Sequence, residues 1–248
     1  MKRIAIAALL MMICTTFASA DQIIGSTGSF QTWTTADLNE NGTPYWDNVS
    51  TDGSKKNIGY CMSGTGNCTI TPTPGTLPYW GTASGGADTS VYFANTGIAN
   101  NGTLKVEIAG QSGTNQFGWV GYDPITNTLT TGLNVIFTGP DSAGASATFT
   151  PTPFYLFFIQ TPNIGDVYFT SAGFNSGPFA DTIQHFAIFG AGPGSYYLGM
   201  EDLPDHFSDH DYNDMVVYVS DVPEPASLML LGSGLLGVGG FLRKKIAA

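Results

Sequence analysis

Between positions 91 and 220 the apolar residues fall in short runs cut by turn chemistry, and nowhere do they keep the 3.6-residue period of an amphipathic helix. The runs cover 91–94, 103–109, 116–122, 133–138, 145–150, 154–160, 166–170, 183–189, 195–200 and 215–220. They are rich in β-branched and aromatic residues, which suit a pleated, half-buried surface. Leu104, Val106 and Ile108 alternate with Lys105, Glu107 and Ala109, the pattern of a strand with one wet face. Phe154-Tyr155-Leu156-Phe157-Phe158-Ile159 is apolar without a break, so both of its faces must be covered. Asp123-Pro124, Gly139-Pro140-Asp141, Thr161-Pro162-Asn163 and Gly192-Pro193-Gly194 supply the turns. Many short antiparallel strands imply an all-β fold, a jelly-roll-like β-sandwich over 90–221. Residues 21–89 are less regular and read as an N-terminal extension carrying Trp33, Trp46 and Trp80.

Both ends of the chain carry targeting patterns. Lys2 and Arg3 precede an apolar stretch over 4–13, and Ala18-Ser19-Ala20 is a small-residue cleavage site, so 1–20 reads as a signal peptide and Asp21 as the mature start. At the other end, Pro223-Glu224-Pro225 leads into an apolar run over 228–242, followed by Arg243-Lys244-Lys245. The prolines hold the backbone around Glu224 extended and deny it helical or sheet hydrogen bonding, which leaves it open to a processing enzyme. The apolar run is shorter than the ~20 residues of a comfortable membrane span, although Ala226 and Ser227 extend it. The basic cluster would stay cytoplasmic. The ordered triplet, short apolar helix and basic end over 222–248 resemble the PEP-CTERM sorting signal of Gram-negative bacteria. That resemblance implies export across the inner membrane, a transient anchor through a short transmembrane helix, and processing by an exosortase-type transpeptidase. It also implies a final place at the cell surface or in the extracellular matrix.

Charge narrows the partners of the body. Over 21–221 the basic residues are Lys55, Lys56 and Lys105, against all of the chain's 19 acidic residues except Glu224. Such a surface repels nucleic acid and attracts divalent cations. Cys14 leaves with the signal peptide. Cys61 and Cys68 close a short glycine-containing loop, which in an oxidising compartment reads as a structural disulfide.

The sharpest chemical signal lies over 201–214, where Glu201, Asp202, Asp205, Asp209, Asp211 and Asp214 crowd together with no Lys or Arg among them. Asp209, Asp211 and Asn213 occupy alternate positions, a spacing that can turn their oxygens to one side and grip a hard cation. Ca²⁺ is the expected ion, with Glu201, Asp202, Asp209, Asp211, Asn213 and Asp214 as its candidate ligands. The loop is not an EF-hand, because Asp214 stands where that loop needs glycine and Ser220 where it needs glutamate. His206 and His210 are four apart, but Pro204 and the Asp/Ser-rich surroundings argue against the helix that a zinc pair requires. His185 reads as a packed strand residue. There is no nucleophile elbow and no phosphate loop, and nothing selects one carboxylate pair for glycoside hydrolysis.

Met200-Glu201-Asp202-Leu203 followed by Ser208-Asp209-His210-Asp211-Tyr212-Asn213-Asp214-Met215-Val216-Val217 resembles the signature of the DUF4114 domain, as do Asn115-Gln116-Phe117-Gly118 and Gln184-His185-Phe186-Ala187 more weakly. The resemblance spans roughly 90–219 and implies a secreted or surface protein. Together these readings anticipate a non-catalytic, exopolysaccharide-associated matrix protein stabilised by calcium. The alternative is a calcium-dependent carbohydrate-binding module using aromatics such as Trp33, Trp46, Trp80, Trp119 or Tyr122. A glycoside hydrolase is the remaining alternative.

Overall fold

The computed structural model describes residues 21–25, 27–32, 58–63, 70, 75–95, 97–107 and 113–222. The signal peptide, Trp33, Trp46, Cys68 and the sorting tail lie outside the described residues. No described helix is long and apolar enough to cross a membrane.

Two antiparallel sheets account for the described strands. The first contains β1 (Gln22–Ile24), β4 (Tyr92–Ala94), β10 (Phe154–Thr161), β6 (Gln116–Asp123) and β7 (Thr128–Leu129) in that order, with β8 (Asn134–Thr138) on β6 and β11 (Asp166–Phe169) on β10. The second runs β2 (Ser29–Gln31), β3 (Tyr79–Gly81), β12 (Phe186–Gly192), β13 (Ser195–Met200), β14 (Met215–Asp221), β5 (Asn100–Glu107) and β9 (Ser146–Phe149). A short helix, α1 (Ile58–Met62), and a 3-10 turn (Ala172–Phe174) complete the described elements. The expected strands over 91–220 recur with bounds shifted by a few residues, and all belong to one compact unit.

The apolar run of β10 explains the layering. Tyr155, Phe157 and Ile159 point into the central core, where they meet Phe93 and Phe117 of the first sheet and Leu198 and Val217 of the second. Leu156 and Phe158 point the other way, into a second cluster with Val120, Val167 and Phe169. The strand is therefore buried on both faces, as an unbroken apolar run requires. A third cluster joins Ile58, Cys61 and Met62 of α1 to Phe189, Tyr212 and Val216, on the other face of the second sheet.

Where residues 21–89 are described, the extension packs on the sandwich by adding strands to it: β1 pairs with β4, β2 with β3, and β3 with β12. These strands are only three residues long, too short to leave a period-2 signal. The connectivity departs from a jelly roll. Strands β12, β13 and β14 follow one another as a simple meander within one sheet, because the tight Gly192-Pro193-Gly194 turn and the 201–214 loop both return the chain to its neighbour.

Where β6 receives β8, the register slips between Phe117 and Gly118. A methyl group at Gly118 would stand 2.1 Å from the Asn134 carbonyl oxygen, whereas Gly113 faces open space. Gly118→Ala is therefore expected to cost about 1–3 kcal/mol in denaturant unfolding, and Gly113→Ala to change stability by no more than about 0.5 kcal/mol.

Candidate functional site

The acidic stretch is the connection between β13 and β14, so the two central strands of the second sheet fix both of its ends. Glu201 follows β13 directly and is 1 % exposed. Its backbone N–H donates to the His185 carbonyl (3.1 Å), and its own carbonyl faces His185 Nδ1 at 3.1 Å. His185 Nε2 lies 2.9 Å from Asp181 Oδ1, so both ring nitrogens face oxygen acceptors. The ring stacks on Tyr168 and is fully buried. His185 is thus a packed residue, as expected, and it also pins the backbone of Glu201.

Asp202 is held from three directions. Asn115 Nδ2 donates to Asp202 Oδ2 (2.6 Å), Thr161 Oγ1 donates to the Asp202 carbonyl (3.2 Å), and the Asp202 backbone N–H donates to Asp214 Oδ2 (2.9 Å). Thr161 is the last residue of β10 and Asn115 precedes β6, so the first sheet reaches across the sandwich to orient this carboxylate. Neither contact was legible as a role in the sequence. Asn115 stood out only as part of a weak motif, and Thr161 only as the start of a turn.

Further along, His210 (φ 57°) and Tyr212 (φ 51°) adopt left-handed backbone conformations between Asp209, Asp211 and Asn213. Non-glycine residues occupy that region at a cost of about 1–2 kcal/mol each, so the packing around them must fix it. Tyr212 is 1 % exposed, and its hydroxyl donates to the Gln184 carbonyl. The Asp211 carbonyl accepts from the Ile58 N–H at 2.8 Å, which ties α1 to the outside of the loop. The alternating conformation curls the chain so that Asp209 and Asp211 approach Glu201.

Carboxylate oxygens of Glu201, Asp209 and Asp211 lie within 4.8 Å of one another, and so do those of Glu201, Asp202 and Asp214. Two oxygens each ~2.4 Å from one cation can be no further apart than that. The structure therefore gathers the five expected carboxylates into two trios that share Glu201. Asn213 is placed differently. Its Nδ2 donates to Asp211 Oδ2 (2.6 Å) and its backbone N–H to Asp211 Oδ1 (3.1 Å), so it braces Asp211 through its amide nitrogen. His210 pairs with Asp205 (3.4 Å), His206 lies against Phe207, and neither joins a trio among the described residues.

The electrostatics follow from burial. Lys105 is the one Lys or Arg among the described residues, and it sits over the Tyr218 ring. Burial first, then the charges of Asp209 and Asp202, push Glu201 up to about 7. Burial likewise raises Asp202, against the hydrogen bond from Asn115. Asp214 is held well above the ordinary carboxylate range by burial and then by Glu201 and Asp202. Glu201 Oε2 is buried with no hydrogen-bond partner.

A carboxyl group whose pKa is raised on folding adds stability when protonated and loses that contribution as the pH climbs. With divalent cations chelated, the melting temperature should fall as the pH rises from about 4.5, the ordinary value for Glu201, to about 7. Glu201→Gln should flatten that fall. An unchanged slope in the variant would show that Glu201 does not govern it.

Comparison with known proteins follows the same division of the chain. The family described as a domain of unknown function (DUF4114) matches residues 151–221, from β10 through β14 and across the whole acidic loop. The match is narrower than the resemblance over 90–219 and leaves Asn115 outside it. A PEP-CTERM protein-sorting motif matches residues 221–244. No curated protein and no solved structure matches the chain. The chain thus matches DUF4114 over the last strands of its β-sandwich-like body and carries a PEP-CTERM motif, which implies export and exosortase-dependent sorting.

Proposed function

We propose that this is a non-catalytic protein of the cell surface or extracellular matrix of a Gram-negative bacterium, whose sandwich is locked by Ca²⁺ at Glu201, Asp202, Asp209, Asp211 and Asp214, and which associates with exopolysaccharide. The observation that carries the metal is Glu201 Oε2, a buried oxygen with no hydrogen-bond partner on the residue that both carboxylate trios share. A divalent cation is the chemistry that offsets such crowding, and ionised oxygens from several residues suit calcium best. The ion would join the β13–β14 loop to the donors that the first sheet sends through Asn115 and Thr161. A Cys61–Cys68 disulfide, proposed on spacing, would stiffen the segment behind the loop, where Cys61 is already buried beside Tyr212. Asp209, Asp211 and Glu201 are metal ligands in this proposal and take no part in bond cleavage.

A carbohydrate-binding module is the second reading. Trp80 and Trp119 pack partly buried against the central core. Tyr92, Tyr122 and Phe154 form an outer cluster, with interplanar angles of 54° and 77°. A stacking platform for sugar rings needs its aromatic faces in one plane, so this arrangement favours the structural reading.

The test is a thermal melt of the chain with calcium and then with chelator. Saturation 100-fold above Kd stabilises by about 2.7 kcal/mol, which is several degrees for a protein of this size. Asp211→Ala is expected to abolish the calcium-dependent increment whatever it does to the chelated baseline. An increment that survives in Asp211→Ala would overturn the ligand set. Separately, replacing Pro223, Glu224 and Pro225 with alanine should leave the tail on the protein, read as the mass of the intact C-terminus in the membrane fraction.

A further inference from the structure

Asp21, the residue that follows the Ala18-Ser19-Ala20 cleavage site, is one of the best-held residues in the body. It is 2 % exposed. Asn100 Nδ2 and the Tyr155 hydroxyl each donate to its Oδ2 at 2.8 Å, and Asn95 Nδ2 lies 3.4 Å from the same oxygen. The Tyr196 hydroxyl donates to its backbone carbonyl at 2.6 Å. Its backbone nitrogen sits 3.3 and 3.2 Å from the two carboxylate oxygens of Asp221, the last residue of β14. A mature N-terminus usually frays, because nothing ties it down. Here side chains from β5, β10 and β13, and from the segment after β4, converge on a single residue.

We propose that removal of the leader between Ala20 and Asp21 completes an internal ion pair, in which the new α-ammonium of Asp21 closes on the Asp221 carboxylate and ties the first residue of the mature body to the last strand before the sorting tail. Hydrolysis by a leader peptidase consumes one water, leaves a carboxylate on Ala20 and an ammonium on Asp21, and needs no other reactant. Before cleavage the nitrogen is a neutral amide and can offer the Asp221 carboxylate only a hydrogen bond. After cleavage the same nitrogen, already within reach of both Asp221 oxygens, carries a positive charge. The position is specific to this cut: one residue earlier, the charge moves ~3.8 Å along the chain.

Among the described residues, the titratable groups that face this nitrogen are few. They are Asp221, the Asp21 carboxylate itself, and the phenols of Tyr155 and Tyr196. Tyr155 is raised well above its ordinary value and Tyr196 to about 12, by burial first and then by Asp21, so both stay neutral. Asp221 in the uncut chain is pushed up to about 6 by burial, against the hydrogen bond from the Asp21 nitrogen. A paired ammonium raises its own pKa above the free α-amino value of about 7.7–8.0. Its contribution to stability is complete below that value and disappears as the pH rises through the raised one.

The inference rests on the reading of 1–20 as a signal peptide, and the experiment separates the two. N-terminal sequencing of the exported protein tests the cut: a first residue other than Asp21 overturns both readings. The full chain from Asp21, in detergent, is then melted against the same chain preceded by Ala20. The Asp21 chain should melt several degrees higher at pH 7. The gap should close above about pH 9–10, once an α-amino group raised from its ordinary 7.7–8.0 is neutral, and should vanish in Asp221→Asn. Equal melting at every pH, with Asp21 confirmed as the first residue, overturns the ion pair and leaves export standing. Should the extended chain not fold, carboxyl-carbon titration of the mature chain decides alone. Asp221 should titrate in the ordinary carboxylate range, and a value still near 6 would sink the proposal.

Discussion

A buried carboxylate needs either a cation or a full set of hydrogen-bond donors, and this body is built with almost no cations of its own. Lys105 is the only described Lys or Arg, yet Asp21, Glu201, Asp202 and Asp211 are all buried. Each has found a different remedy. Asp21 is wrapped by the amides of Asn95 and Asn100 and the hydroxyl of Tyr155. Asp202 takes a side-chain amide from Asn115, and Asp211 takes donors from Asn213. Glu201 keeps one oxygen, Oε2, buried without a hydrogen-bond partner. The calcium proposal and the ion-pair proposal are thus two answers to one electrostatic constraint, with one cation coming from solution and the other from the backbone.

That constraint acts through the packing. Strand β10 lies in the middle of the first sheet with aromatic side chains on both faces, and its last residue, Thr161, touches the carbonyl of Asp202. Tyr155, near its beginning, touches Asp21. The same eight-residue strand therefore reaches an acidic cluster at each end. Anything that displaces its core residues will disturb both.

Much of this architecture could be read from the chain. The long strands announce themselves through β-branched and aromatic runs between Gly/Pro turns, and β10 through its unbroken apolar stretch. The acidic cluster was legible because carboxylates at alternate positions have no local explanation. Strands β1, β2 and β3 were not, since three residues show no period and their stability comes from neighbours far along the chain. The first residues of β5, Asn100-Asn101-Gly102, oppose strand propensity, and pairing with β14 overrides it. Conversely, Ile183, Gln184 and His185 look like a strand and instead spend their polar groups on side-chain contacts, among them Gln184 with the carbonyls of Asp88 and Thr170. The roles of Asn115, Thr161 and Asp221 depend on tertiary placement alone, which no local pattern encodes. Asn213 was assigned as a ligand from spacing, while its amide nitrogen faces Asp211.

The place of β14 has a mechanical consequence. It is an inner strand, paired along its length with β13 on one side and β5 on the other, and the sorting tail continues directly from its end. Tension applied through a tethered tail does not peel an edge. It pulls lengthwise on a strand whose two hydrogen-bonded ladders must slide together, so the load is shared in shear across the centre of the second sheet.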